Sequence, residues 1–274
     1  MIAMDSVDFF YKKELPVFKN LSLHLNGGHV YGLLGLNGAG KTSLLKMLAG
    51  LIAPKNGSVK VMGKKPFDRE VQFYQDLFFL PDDFDLPDCT IETFADSYGW
   101  MYPKFNKQRF NEILQNFSLN PTMKLSSISF GERKKALLSF AFSLGCKMLL
   151  LDEPANGLDI PAMEVLRRLL IENHTDDGIV LISTHHINDI ENHISGVIIL
   201  NKNKIVLNKT LDEISSKFQV AIFSENELPS TVLYSEKKAR GIKALFTSND
   251  LLSGEIDLEF LFRASMNEEV VNAL

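Results

Sequence analysis

The stretch GLNGAGKTSLL, starting at Gly35, limits the folds open to this chain more than any other feature. Gly35, Gly40, Lys41 and Thr42 fit G-x-x-x-x-G-K-[ST], and the motif lies between an apolar run and a helical pattern, as its chemistry requires. The glycines let backbone N–H groups turn inward around phosphate without a Cβ in the way. Lys41 offers a point charge to terminal phosphates, Thr42 offers a hydroxyl to Mg2+, and the following helix adds its N-terminal dipole. Asn37, Gly38, Ala39 and Ser43 complete the loop. A turn that only joined strand to helix would need neither the lysine nor the hydroxyl. The loop reads as a nucleoside triphosphate site.

The stretch MLLLDEP supplies the second half of that chemistry. A strand buried on both faces would carry Asp152 to the carboxyl edge of a parallel sheet, beside the phosphate loop. Asp152 is then placed to hold Mg2+ through water. Glu153, the next residue, is placed to orient or deprotonate an attacking water. The reaction class is ATP or GTP hydrolysis.

The rest of the chain supplies the scaffold. Leu21, Leu23 and Leu25 alternate in NLSLHL, and GSVKV repeats the alternation, which predicts a small antiparallel sheet. VYGLLGL is apolar at successive positions, the mark of a strand covered on both faces. The spacing of Leu44, Leu45, Leu48 and Leu51 predicts a helix closing near Pro54. From about Pro81 to Ala141 the pattern is helical, and after it strand and helix alternate. GVIILNKNKIVLNK reads as a hairpin turning at Lys202-Asn203. Beyond Gln219 periodicity is weak until LEFLFRASMNEEVVNAL, which predicts a terminal helix.

Composition narrows the function further. A formal net charge of −5 provides no basic field for nucleic acid. Cys89 and Cys146 form no C-x-x-C pair and read as thiols of a reducing compartment. The expectation is a cytoplasmic chain with no leader and no membrane span, since its apolar runs fall far short of roughly 20 residues.

Taken together, these stretches resemble the ATP-binding subunits of ABC transporters. GLNGAGKT is similar to their Walker A, MLLLDEP to Walker B and ISFGERKK to the signature segment. ANGLD resembles the D-loop, LISTHH the switch, and VDFFYKK the A-loop. The elements keep the family order over roughly residues 1–210, about three quarters of the chain. The resemblance implies an α/β P-loop NTPase (RecA-like) core with an N-terminal antiparallel β-subdomain and an α-helical signature subdomain. The expected division is a cassette over 1–215, with the helical part at about 84–140, and a small extension over 216–274.

The resemblance also implies roles. Tyr11 would stack on adenine, Asp159 would serve the D-loop, and His185 would contact the γ-phosphate. Ser129, Phe130, Gly131 and Glu132 would complete the ATP site of a second subunit in a head-to-tail dimer, homo- or heteromeric. Ser129 with Glu132 three residues on is also a helix capping box, and a capped N-terminus is what would point at a phosphate. ATP and Mg2+ are the expected cofactors. A membrane permease is the expected partner, and it would hold the chain at the cytoplasmic face of the membrane. The alternatives are an ABC-type ATPase working away from membranes and a weakly hydrolytic regulatory cassette.

Three residues depart from the family pattern, and two further stretches extend it. Phe130 stands where a glycine is usual, and Asp82 stands where the Q-loop glutamine would meet metal and water. His186, not an acid, follows the switch histidine. Phe84, Trp100 and Tyr102 are expected in the socket that receives the permease. The Leu-Glu-x-x-Phe tail, without the extra β-domain of many sugar importers, resembles exporter-type cassettes of prokaryotes.

Overall fold

The computed structural model describes residues 1–12, 15–173, 175–185, 187–224, 227–229, 231–247 and 257–271. Strands β1 (Ile2–Lys12) and β2 (Leu15–Leu25) pair antiparallel, and the alternating leucines of β2 point into the core. Then come β3 (His29–Leu34) and, after the glycine-rich loop, α1 (Lys41–Leu48). Helix α1 ends at Leu48 and does not reach Pro54, because Ala49 and the left-handed Gly50 (φ 73°) turn the chain away. Strand β4 (Asn56–Val61) returns to β1, giving the N-terminal sheet the order β2-β1-β4.

Short α2 (Val71–Gln75) leads into β5 (Leu77–Leu80). The helical stretch follows as α3 (Ile91–Gly99), α4 (Lys107–Asn116) and α5 (Phe130–Ala141), each started by a side-chain cap from Thr90, Asn106 or Ser129. Strand β6 (Met148–Asp152), α6 (Ile160–Glu172) and β7 (Ile179–Thr184) restore the alternation. The hairpin β8 (Gly196–Asn201) to β9 (Lys204–Thr210) turns on Lys202 and Asn203, both left-handed as a tight right-twisted hairpin needs. Helix α7 (Leu211–Ser215) closes this part of the chain.

The central sheet runs β5-β6-β7-β3-β8-β9, parallel except for β9. Neighbouring residues of one strand serve different cores. Val30, Leu149 and Val180 pack with the helical side, whereas Tyr31, Leu150 and Leu181 pack with α1 and the N-terminal sheet. This two-sided burial is why these strands read as unbroken apolar runs. In register, Leu34 lies opposite Thr184 and Asp152 opposite Ser183, so the ends of β3, β7 and β6 form one edge.

The extension departs from expectation. Strands β10 (Phe218–Phe223), β11 (Val232–Lys238) and β12 (Gly241–Thr247) make an antiparallel sheet in the order β10-β12-β11. The single terminal helix is instead α8 (Leu258–Ala264) followed by α9 (Glu268–Val271), with the Ser265 hydroxyl donating back to the Phe262 carbonyl between them. Phe218, Leu245 and Phe260 share a buried cluster with Ile187, Ile190 and Ile214, so the extension is packed onto the core. This small sheet also removes the absence of a β-unit as an argument for export. Cys89 and Cys146 are free thiols, and burial pushes Cys146 up to about 12. Among the described residues no helix is long and apolar enough to cross a membrane.

Candidate nucleotide-binding and hydrolysis site

The loop after β3 is built for an anion. Gly38 and Gly40 have φ of 80° and 106°, a region that L side chains avoid. A Cβ on Gly40 would lie 2.9 Å from both Phe18 and Val17, so the cradle fits only a glycine there. Helix α1 has no side-chain cap, and its first N–H groups are left for a ligand. Lys41, only 7% exposed, donates to the Gly35 carbonyl at 2.8 Å, closing the loop across its mouth. Asn37 and Gly38 are exposed on the loop rim, while Ala39 ties back to the Leu36 carbonyl at 3.0 Å. These features fit a nucleoside triphosphate.

The acids arrive from the neighbouring strands. Asp152 is 1% exposed and both its oxygens are satisfied, Oδ2 by the Thr42 hydroxyl at 2.7 Å and Oδ1 by the Ser183 hydroxyl. The hydroxyl and carboxylate form the hard-oxygen pair that Mg2+ takes. Glu153 has left-handed backbone (φ 46°), which costs a non-glycine residue about 1–2 kcal/mol. Its N–H donates to both the Ser183 carbonyl and the Ser183 hydroxyl, each at 3.1 Å. The carboxylate then sits between Lys41 Nζ at 3.6 Å and His185 Nδ1 at 2.8 Å. So Lys41, Thr42, Asp152, Glu153 and His185 converge on one sheet edge. Tyr11, 62% exposed, joins them through its hydroxyl, 3.1 Å from the Ser43 hydroxyl, with its ring edge-on to Phe9.

The signature residues stand apart from that loop. Among the described residues no hydrogen bond or ion pair joins 129–132 to 35–43. Ser129 caps α5, donating its N–H to Glu132 Oε2 at 2.8 Å while its hydroxyl accepts the Glu132 N–H at 3.2 Å. That arrangement holds the Glu132 carboxyl below its usual range, chiefly through the backbone bond from Ser129. Phe130 keeps helical backbone and stacks on Phe84 at 5.4 Å. Asp159 caps α6 through the Ala162 N–H at 3.1 Å, and it pairs with Lys135 of α5 at 3.1 Å.

Asp82 is placed differently from the expectation. Its Oδ1 accepts from Lys134 and from Asn156, both at 3.2 Å, and not from the Thr42–Asp152 pair. Lys134 lies within a basic run, which resembles a solvated face, yet it has no exposed surface. The signal that could have found it is helical spacing, since 134 shares a stripe with buried Leu137, Leu138 and Ala141. Of the expected socket, Trp100 is 77% exposed, flanked by exposed Tyr98 and Met101. Tyr102 is instead committed to packing on Phe78 and Phe140, and burial pushes its hydroxyl up to about 12. His186 lies outside the described residues.

A family model described as ABC transporter matches residues 18–156. A putative ABC transporter ATP-binding protein of Methanosarcina acetivorans is 30% identical over 267 residues, covering 92% of each chain. The molybdate import ATP-binding protein MolC of Haemophilus influenzae is 27% identical over 238 residues, covering 81% of this chain and 87% of MolC. Among solved structures, a putative cobalt transport ATP-binding protein superposes with a TM-score of 0.68 at 20% identity, over 96% of this chain and 100% of that one.

Proposed function

This chain belongs to the ABC transporter family of ATP-binding subunits and is an ATPase, and we propose that it drives a membrane permease as half of a head-to-tail dimer closed around two ATP molecules. The observation that carries the site assignment is the Glu153 carboxylate held between Lys41 and His185, beside the Thr42–Asp152 pair. In this reading the N–H groups of 38–43 and the Lys41 ammonium bind the phosphates, and Tyr11 lies against adenine. Thr42 and Asp152 would hold Mg2+, which when bound neutralises charge on the phosphate oxygens. Asp82 enters that set only through Oδ2, since Lys134 and Asn156 share its other oxygen.

Glu153 orients the attacking water and takes its proton, while His185 steadies Glu153 and faces the γ-phosphate. Ser129 and the Gly131 N–H, at a capped helix start away from their own loop, serve the other subunit's ATP. Asp159, paired with Lys135 of α5, serves the D-loop in this reading. The exposed Trp100 with Tyr98 and Met101 is the surface for the permease, which fixes the chain to the cytoplasmic side of the membrane. Export is the proposed direction, on the Leu-Glu-x-x-Phe tail alone.

Light scattering on Glu153→Gln tests the reading. With ATP and Mg2+ the variant is expected to bind nucleotide, lose at least about 100-fold in hydrolysis and shift from monomer to dimer. Wild-type hydrolysis by the variant would remove Glu153 from its role. A monomer that binds ATP would transfer the second half-site to a different subunit.

A further inference from the structure

Helix α5 turns one lysine fully inward, and its ammonium joins three separate segments. Lys134 Nζ donates to Asp82 Oδ1 at 3.2 Å, to the Asp82 carbonyl at 3.3 Å and to the Glu153 carbonyl at 3.2 Å. A lysine carries three donors, and here each has an acceptor, as a buried ammonium requires. The stacked rings of Phe84 and Phe130 lie 5.5 and 5.3 Å from the same nitrogen, within cation–π range. Burial pulls the lysine below its ordinary range, against the opposing charge of Asp82 and, further off, Asp152 and Glu153. The Asp82 oxygen that meets Lys134 also takes the Asn156 amide, tying the loop after β5 to the turn after β6.

Glu153 explains what this arrangement is for. Its backbone is left-handed without being glycine, so something must hold it there. Ser183 fixes the N–H side of the turn, and Lys134 fixes the carbonyl side. We propose that Lys134 is the positioning residue for Glu153, clamping the turn that aims its carboxylate between Lys41 and His185, with the Asp82–Asn156 bridge as its brace. The proposal rests on Glu153 being the base. It also gives Phe130 a purpose within its own subunit, as one wall of the aromatic box around the ammonium.

The test compares Lys134→Met, Lys134→Gln, Asp82→Asn and Glu153→Gln with the wild-type chain, reading kcat, KM for ATP and melting temperature. Met removes every donor, and kcat is expected to fall about 100-fold, as a misplacement of about 1 Å costs, with KM held within about threefold. Gln restores an N–H donor and is expected to recover part of that loss. Asp82→Asn is expected to lower kcat about tenfold, and adding it to Lys134→Met should cost little more, because the two act as one unit. Unchanged kcat in a folded Met variant, or a raised KM with kcat intact, overturns the proposal. Equal kcat for the Gln and Met variants also overturns it. Should the Met variant fail to fold, Asp82→Asn decides alone: full activity there overturns the brace. If Glu153→Gln keeps wild-type hydrolysis, the role of Glu153 fails first. If only the Lys134 variants are active, Glu153 stands and Lys134 does not.

Discussion

Asp152 shows how little freedom the reacting groups have. With Thr42 and Ser183 on its two oxygens and 1% of its surface exposed, it is held in a place built from hydroxyl donors. Replacing it with Asn preserves size and leaves partners for both hydroxyls. The expected outcome is a folded chain that binds ATP without Mg2+ much as before and no longer gains affinity when Mg2+ is added, read by titration with a fluorescent ATP analogue. Lys41→Ala is expected to weaken ATP about 10- to 100-fold with or without Mg2+, the worth of one charge-assisted phosphate contact. Both residues were legible because each sits in a short contiguous motif whose backbone geometry the motif itself dictates. Lys134 and the partners of Asp82 were not, because their meeting joins positions 82, 134 and 153, which only the packed fold brings together.

Among the elements, α5 has the most determined start. Ser129→Ala removes one half of the capping box and is expected to cost about 1 kcal/mol, measured by denaturant unfolding. Glu132, the other half, has its folded carboxyl below the ordinary 4.5 because the Ser129 N–H bonds its ionised form. Its stabilisation is therefore present above that ordinary value and fades as pH falls through the lowered one. The melting gap between wild type and Glu132→Gln should be clear at neutral pH and should narrow steadily as the pH is taken below the ordinary carboxylate range. Gly131 faces the Gly157 carbonyl so closely that an added Cβ would stand 2.4 Å from its oxygen. Gly131→Ala is expected to destabilise by about 1–3 kcal/mol and to part α5 from the turn after β6. The helical elements were readable from their caps and spacing, and the buried strands from their unbroken apolar runs. The strands of the extension were not, because VLYSEKK is largely polar and half exposed and takes its structure from β12 alongside it.

At the scale of the whole molecule, the extension and the ATPase core cannot be parted cheaply. Glu259, Phe262 and Arg263 of α8 line, with Gly35, Thr184 and His185, a cavity of about 460 Å³, and Asn188 donates to Glu259 at 3.0 Å. Removing 216–274 would strip Phe218, Leu245 and Phe260 from the shared cluster. The shortened chain is expected to melt more than about 10 °C lower by circular dichroism, several buried side chains at about 2–3 kcal/mol each being a large share of a domain's stability. An unchanged melting point would show the extension to be an independent unit. The sheet order has a consequence for how the chain is made. Strand β3 emerges early, yet its two neighbours are β7 and β8, at residues 179–184 and 196–199. A nascent chain on the ribosome therefore carries an unsupported phosphate loop until most of the polypeptide has been synthesised, while the locally connected helices α3 to α5 can form well before it. Nucleotide can act as a ligand only late in synthesis, when β7 and β8 have closed on β3 and the cradle is set.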